Sequence, residues 1–179
     1  MSNDNKVDPL KTLAKQAEVG NLAFRAFIKG ACEMPDEELD RLVARMTDEV
    51  RAGVDCAACA RCCRELTPMF GDGDRQRLAR RLKMTVEQFK GRCLVYEEDA
   101  DGRGWRMKAM PCLFLEGGRC SVYEDRPVEC REYPYLDKGN FSCRMLTILE
   151  RTFTCPIVYE VLERLKTHFG FARIDPYCG

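Results

Sequence analysis

Four cysteines crowd into the eight residues from Cys56 to Cys63, in the order Cys-x2-Cys-x2-Cys-Cys. The whole chain has 12 cysteines in 179 residues but only one histidine. Two-residue gaps let the backbone curl so that successive sulfur atoms face one centre, as in the cysteine runs of bacterial ferredoxins. The run therefore predicts a tight loop around an inorganic centre that is held mainly by thiolates.

A disulfide framework is the main alternative explanation for so many cysteines. Secreted disulfide-rich domains are usually short and follow a signal peptide, whereas this sequence opens with the polar segment MSNDNKVDPLKTLAKQ. A chain of 179 residues can also bury a core without disulfide bonds. Neighbours such as Cys62 and Cys63 rarely pair, because the peptide between them would be strained. We therefore expect reduced thiols in a cytoplasmic protein.

Charge and hydropathy exclude several other classes of protein. Lysine plus arginine and aspartate plus glutamate each number 29, so no overall field attracts nucleic acid or an anionic membrane. No apolar run reaches the ~18 residues that a membrane helix needs. The sequence also lacks a Rossmann glycine pattern, a P-loop and a nucleophile elbow. We expect neither a nucleic-acid partner nor a membrane partner.

Hydrophobic spacing predicts helices towards both ends of the chain. One apolar stripe covers residues 9–30, where Gly20 and Asn21 could interrupt it. A second begins after Pro35 and continues to residue 52, and a third follows Cys155-Pro156. Between these helices, Thr85 is a typical N-cap residue and predicts a shorter one.

Short strands are predicted in the middle of the chain, at residues 93–96 with 105–109 and at 112–115 with 119–123. The expected fold class is therefore α+β: a small, irregular, metal-centred domain with short β-hairpins, flanked by N- and C-terminal helices. We expect two domains, an N-terminal helical extension at 1–52 and a cysteine-cluster domain at 53–179 that includes the C-terminal helix.

Further cysteines occur in a specific order downstream. The segments are Pro111-Cys112-Leu113-Phe114-Leu115, Cys120-Ser121-Val122-Tyr123-Glu124-x-Arg126-Pro127, Cys130-Arg131-x-Tyr133-Pro134 and Cys155-Pro156. Together with the run at 56–63, they closely resemble the YkgJ-like cysteine-cluster family of bacteria and archaea, a zinc- or iron-chelating domain named for its CxxCxxCC motif. The resemblance implies metal chelation but supplies no reaction. The ligands that it implies are Cys56, Cys59, Cys62, Cys63, Cys112, Cys120, Cys130 and Cys155.

Eight thiolates can form two four-ligand sites, or one cluster with additional redox thiols. Cys143 could replace one of the eight. The remaining cysteines, Cys32, Cys93 and Cys178, fall outside the motif, and we interpret them as structural residues, since buried thiols are common in protein cores.

Polar residues between the sulfurs are candidates for binding the cofactor. Arg126 and Arg131 could offset thiolate charge and donate to sulfur, and Tyr133 could shield the centre from water. The alternative interpretation is that the arginines cap a turn and the tyrosine packs against the core.

The sequence supports two hypotheses for the identity of the metal and three for the function of the protein. The scarcity of histidine and the triple cysteine curl favour an iron–sulfur cluster, [4Fe-4S] in type, while soft thiolates also bind zinc. An iron–sulfur cluster indicates electron transfer or redox sensing. A zinc site indicates a structural domain that binds a protein partner. Flagellin lysine methylases carry a similar cluster, so an accessory or catalytic domain linked to methylation is a third hypothesis. No catalytic residue is assigned.

We predict that Cys59→Ala loses bound metal and becomes sensitive to protease between residues 56 and 155, because the binding energy of a structural metal is also folding energy. Cys178→Ala, which removes a cysteine outside the motif, should change neither property. Metal analysis and limited proteolysis of both variants measure this. Full metal content in Cys59→Ala would contradict the ligand assignment.

Overall fold

The computed structural model of the chain describes residues 8–99 and 102–171. Its elements, in chain order, are α1 (Pro9–Gly30), α2 (Asp36–Ala52), α3 (Cys56–Cys59), α4 (Cys62–Glu65), α5 (Asp72–Arg81), α6 (Val86–Cys93), β1 (Leu94–Asp99), β2 (Gly102–Met107), β3 (Leu115–Glu116), β4 (Arg119–Cys120), a 3-10 turn (Tyr123–Asp125), α7 (Val128–Glu132), α8 (Phe141–Arg151) and α9 (Pro156–His168). The predicted α+β class with short hairpins is confirmed.

These elements form two compact units. The helical unit comprises the described parts of residues 1–54 and 134–179, and the cysteine unit comprises residues 55–133. The predicted domains at 1–52 and 53–179 are segments expected to fold as separate domains, which differ from these contact-defined units. That division stays a prediction. The interpretation of Cys178 lies outside the described residues. Within those residues, no helix is long and apolar enough to cross a membrane.

Helix α1 is continuous, although the sequence suggested an interruption at Gly20 and Asn21. The Asn21 side chain is buried, and its amide oxygen accepts a hydrogen bond from Lys166 Nζ of α9 at 3.0 Å. Lys166 is buried as well and forms an ion pair with Glu163. A tertiary hydrogen bond therefore satisfies the side chain that would otherwise compete with the helical backbone.

The four long helices of the helical unit pack through their apolar faces, with α1 and α2 both contacting α8 and α9. The start of α8 is fixed by a residue of α2. The carboxylate of Asp40 accepts hydrogen bonds from the backbone N–H groups of Asn140, at 2.7 Å, and Phe141, at 2.8 Å. Because these groups have no acceptor within α8 itself, Asp40 caps that helix from a distance.

The cysteine unit is built on a small apolar core beside a β-hairpin. The core includes Phe70, Leu78, Phe89 and Phe114. In the hairpin, β1 and β2 are antiparallel and extend further into the connecting loop than predicted, whereas β3 and β4 are only two residues each. The single tryptophan, Trp105, lies on β2 with the Lys90 ammonium 5.2 Å from its ring centroid.

We predict that Asp40→Ala lowers the free energy of unfolding by about 1 kcal/mol, since the first N–H groups of α8 lose their acceptor. Denaturant unfolding of the reduced, metal-free protein measures the effect. Asp48→Ala is the matched control, because Asp48 lies on the same helix and its side chain is 78% exposed. Equal unfolding midpoints for the two variants would contradict the capping role.

Candidate metal centre

The Cys-x2-Cys-x2-Cys-Cys run folds as two single helical turns, α3 and α4. The Asp55 carboxylate caps α3 by accepting the N–H of Ala58 at 3.1 Å. Between the turns, Ala60 is buried and has φ of 46°, a left-handed conformation that is uncommon outside glycine. The reversal at Ala60 separates the first pair of cysteines from the second.

Long-range contacts hold this run against the second hairpin, which is formed by β3 and β4. Asp55 Oδ2 lies 3.1 Å from an Nη atom of Arg119, which is the residue before Cys120. The hydrogen bond from the Ala58 N–H, followed by the one from Arg119, lowers the pKa of Asp55. The N–H of Cys112 donates to the Cys63 carbonyl at 2.8 Å. Three cysteine-bearing segments are therefore joined by one ion pair and one backbone hydrogen bond.

The structure brings five of the predicted ligands into one cluster, which we call the thiol cluster. Its members are Cys62, Cys63, Cys112, Cys120 and Cys130. The side chains of Cys62 and Cys63 are hydrogen-bonded to each other. The charge of Cys63 acts on each of the three later thiols, so cysteines from four separate segments share one electrostatic environment.

The thiols of this cluster differ in acidity. The hydrogen bond from Cys62, followed by the charges of Arg64 and Arg126, lowers the pKa of Cys63 to about 7. Burial and then neighbouring thiolate charge raise the pKa of Cys112 to about 11 and that of Cys130 to about 12. Most of the cluster is thus protonated without metal at neutral pH, and binding of a metal would displace those protons.

The other predicted ligands lie elsewhere. Cys56 is exposed and Cys59 half-buried on α3, a helix that contacts β4. Cys155 is buried at the N-terminus of α9, and Cys143 is exposed on α8, so both belong to the helical unit. Within residues 8–99 and 102–171, no three cysteine, histidine or acidic side chains are already arranged to hold a metal ion. The eleven cysteines of this range carry thiols rather than disulfides.

The three predicted cofactor-binding residues occupy different positions. The Arg126 guanidinium stacks 3.7 Å from the Tyr123 ring centroid, and its charge acts on Cys63 and Cys120. Arg131 is exposed and donates to the carbonyls of Glu124 and Arg126, each at 2.9 Å, as expected for a turn-capping residue. The Tyr133 hydroxyl oxygen is buried.

Sequence reasoning missed the residues that position the Arg126 segment. Asp74 is buried, and its Oδ1 accepts from the N–H of Val128 at 3.1 Å and from Arg77 at 2.7 Å. Arg77 also donates to the carbonyls of Asp125, at 3.2 Å, and Arg126, at 2.9 Å. In the sequence Asp74 and Arg77 are ordinary charged residues of a short segment, and local sequence carries no information about partners some 50 residues away.

The donor set defines the class of protein. Five clustered thiols, with no histidine anywhere in the cysteine unit, suit a thiophilic metal such as zinc or iron. The sequence profile of the CxxCxxCC family, described as "Putative zinc- or iron-chelating domain", matches residues 55–156, more than half of the chain. The chain belongs to this family. No curated protein and no solved structure matches it.

Proposed function

We propose that the protein carries a cysteine-ligated iron–sulfur cluster and uses it to transfer electrons or to sense redox state. The observation that carries the proposal is the convergence of Cys63, Cys112, Cys120 and Cys130 in one electrostatic environment. Four thiolates are the usual ligand set of a [4Fe-4S] cluster, which supplies one-electron redox chemistry when bound.

The ligands in this proposal are the eight cysteines of the family motif. Cys62 and Cys63 would bind from α4, Cys112 from the loop before β3, Cys120 from β4 and Cys130 from α7. Cys56 and Cys59 would add thiolates from α3. The start of α3 is tied to the β3–β4 hairpin by the ion pair of Asp55 with Arg119. Cys155 of the helical unit is the eighth cysteine of the motif, and the family match extends through it.

Arg126 has the clearest accessory role in the proposal. Its Nε–H is buried and makes no hydrogen bond with the described residues, while its charge acts on two cluster thiols. A guanidinium in that position offsets the negative charge of bound thiolates and favours electron uptake. Arg131 would act through the turn that carries Arg126, and Tyr133 would limit access of water.

A structural zinc site is the second candidate, because the family description names zinc beside iron. Four thiolates close a tetrahedral zinc site and stabilise the fold around it. In that case the cysteine unit would be a rigid module for binding a protein partner. The two candidates require the same thiols but differ in metal, sulfide content and redox activity.

Analysis of protein purified without oxygen tests the proposal. We expect a brown sample that contains iron and acid-labile sulfide, and visible absorption that dithionite bleaches and air restores. A colourless sample loaded with zinc, and unchanged by dithionite, would support the structural-zinc candidate and contradict the iron–sulfur proposal. Protein that binds neither metal would contradict both.

We predict that Arg126→Gln makes the reduction potential of the cluster more negative, because loss of a nearby cation disfavours the added electron. Potentiometric titration of the anaerobic protein measures this shift. Arg131→Gln is the comparison variant and should shift the potential less, since its guanidinium is exposed and engages only the backbone carbonyls of the turn. Equal potentials for both variants and the wild type would exclude an electrostatic role for Arg126.

A further inference from the structure

Cys93, which the motif leaves out, lies beside the thiol cluster. It is the last residue of α6 and is only 8% exposed. The apolar core that contains it also packs against Cys112 and Cys120, two members of the cluster. Cys93 and these two cluster thiols therefore share one apolar environment.

Backbone contacts keep this arrangement in place. The carbonyl of Cys93 accepts the N–H of Lys108 at 3.1 Å, and Lys108 lies only four residues before Cys112. The Lys108 ammonium binds the Gly91 carbonyl at 3.0 Å, so a cation lies next to the end of α6. Within the described residues the Cys93 thiol has no hydrogen-bond partner of its own. Burial raises the pKa of this thiol more than the nearby Arg92 and Lys108 charges lower it. Its closeness to other thiols, not the cation, therefore distinguishes Cys93 from an isolated core cysteine.

We propose that Cys93 is an additional thiolate ligand of the metal centre, supplied from the core side next to Cys112. This inference rests on the proposed function. With Cys93 included, residues 55–133 contain eight cysteines, enough for two complete four-thiolate sites within the cysteine unit. The full set in this unit is Cys56, Cys59, Cys62, Cys63, Cys93, Cys112, Cys120 and Cys130.

Two substitutions separate ligation from packing. Cys93→Val keeps an apolar side chain in the core but removes the sulfur, and Cys93→Ser keeps the size but places a hydroxyl there. If Cys93 only packs, the valine variant retains metal and the serine variant alone is destabilised. If Cys93 is a ligand, both variants lose metal. Cys32→Val is the control, because it removes a half-buried thiol from the helical unit.

The full-length proteins are compared without oxygen by metal content per chain and by competition with a chelator. The thiolate-to-metal charge-transfer absorption of the cobalt(II)-substituted proteins gives an independent count of sulfur ligands. Circular dichroism of the metal-free proteins checks that each variant folds. For both Cys93 variants we expect at least about 100-fold weaker binding at the affected site and weaker charge-transfer absorption, beyond the 10–100-fold loss typical of residues that only orient a ligand. Cys32→Val should match the wild type.

The outcomes distinguish this inference from the proposal on which it rests. Wild-type metal content, affinity and charge-transfer absorption in folded Cys93→Val would overturn the ligand role of Cys93 alone. A wild-type protein that binds no metal would overturn both. If Cys93→Val does not fold without metal, the metal content and charge-transfer absorption of folded Cys93→Ser decide: values equal to the wild type overturn the inference, and reduced values support it.

Discussion

The central constraint in this protein is the free-energy cost of ionising sulfur atoms that the fold buries close together. Burial raises the pKa of Cys112, Cys120 and Cys130, and the charge of the Cys63 thiolate raises it further. The cluster can therefore be neutral and protonated, or it can be ionised and balanced by cations. In the ionised state a bound metal would supply most of the positive charge, and Arg64 and Arg126 contribute protein charge beside Cys63.

Much of the remaining cysteine unit maintains that convergence. The two helical turns of the CxxCxxCC run would not by themselves reach the later cysteines. Asp55 and Arg119 join them to the second hairpin, and the Cys63 carbonyl binds the Cys112 backbone. Asp74 and Arg77 hold the segment between Cys120 and Cys130 through its backbone. Asp74 and Arg77 thus hold this segment through its backbone atoms and not through its thiols.

Local features of the fold could be predicted from the sequence, because they depend on near neighbours. Thr85 was expected to cap a helix, and its hydroxyl accepts the N–H of Gln88 at 3.1 Å. Helices α1, α2 and α9 also follow their apolar spacing. Asn21 shows the limit of this approach, since the hydrogen bond that satisfies its buried side chain comes from Lys166, 145 residues away. The position of Cys93 beside Cys112 likewise depends on a shared core that motif spacing does not encode.

The location of the single tryptophan gives the two units different optical properties. Trp105 belongs to the cysteine unit, on the strand that leads towards Cys112, and its ring contacts Tyr96 with centroids 5.5 Å apart. Its indole emission consequently reports the surroundings of Trp105 in the cysteine unit. Loss of far-ultraviolet helical signal would come mainly from the four long helices. The native chain therefore carries separate spectroscopic probes for melting of its two halves, without any attached dye.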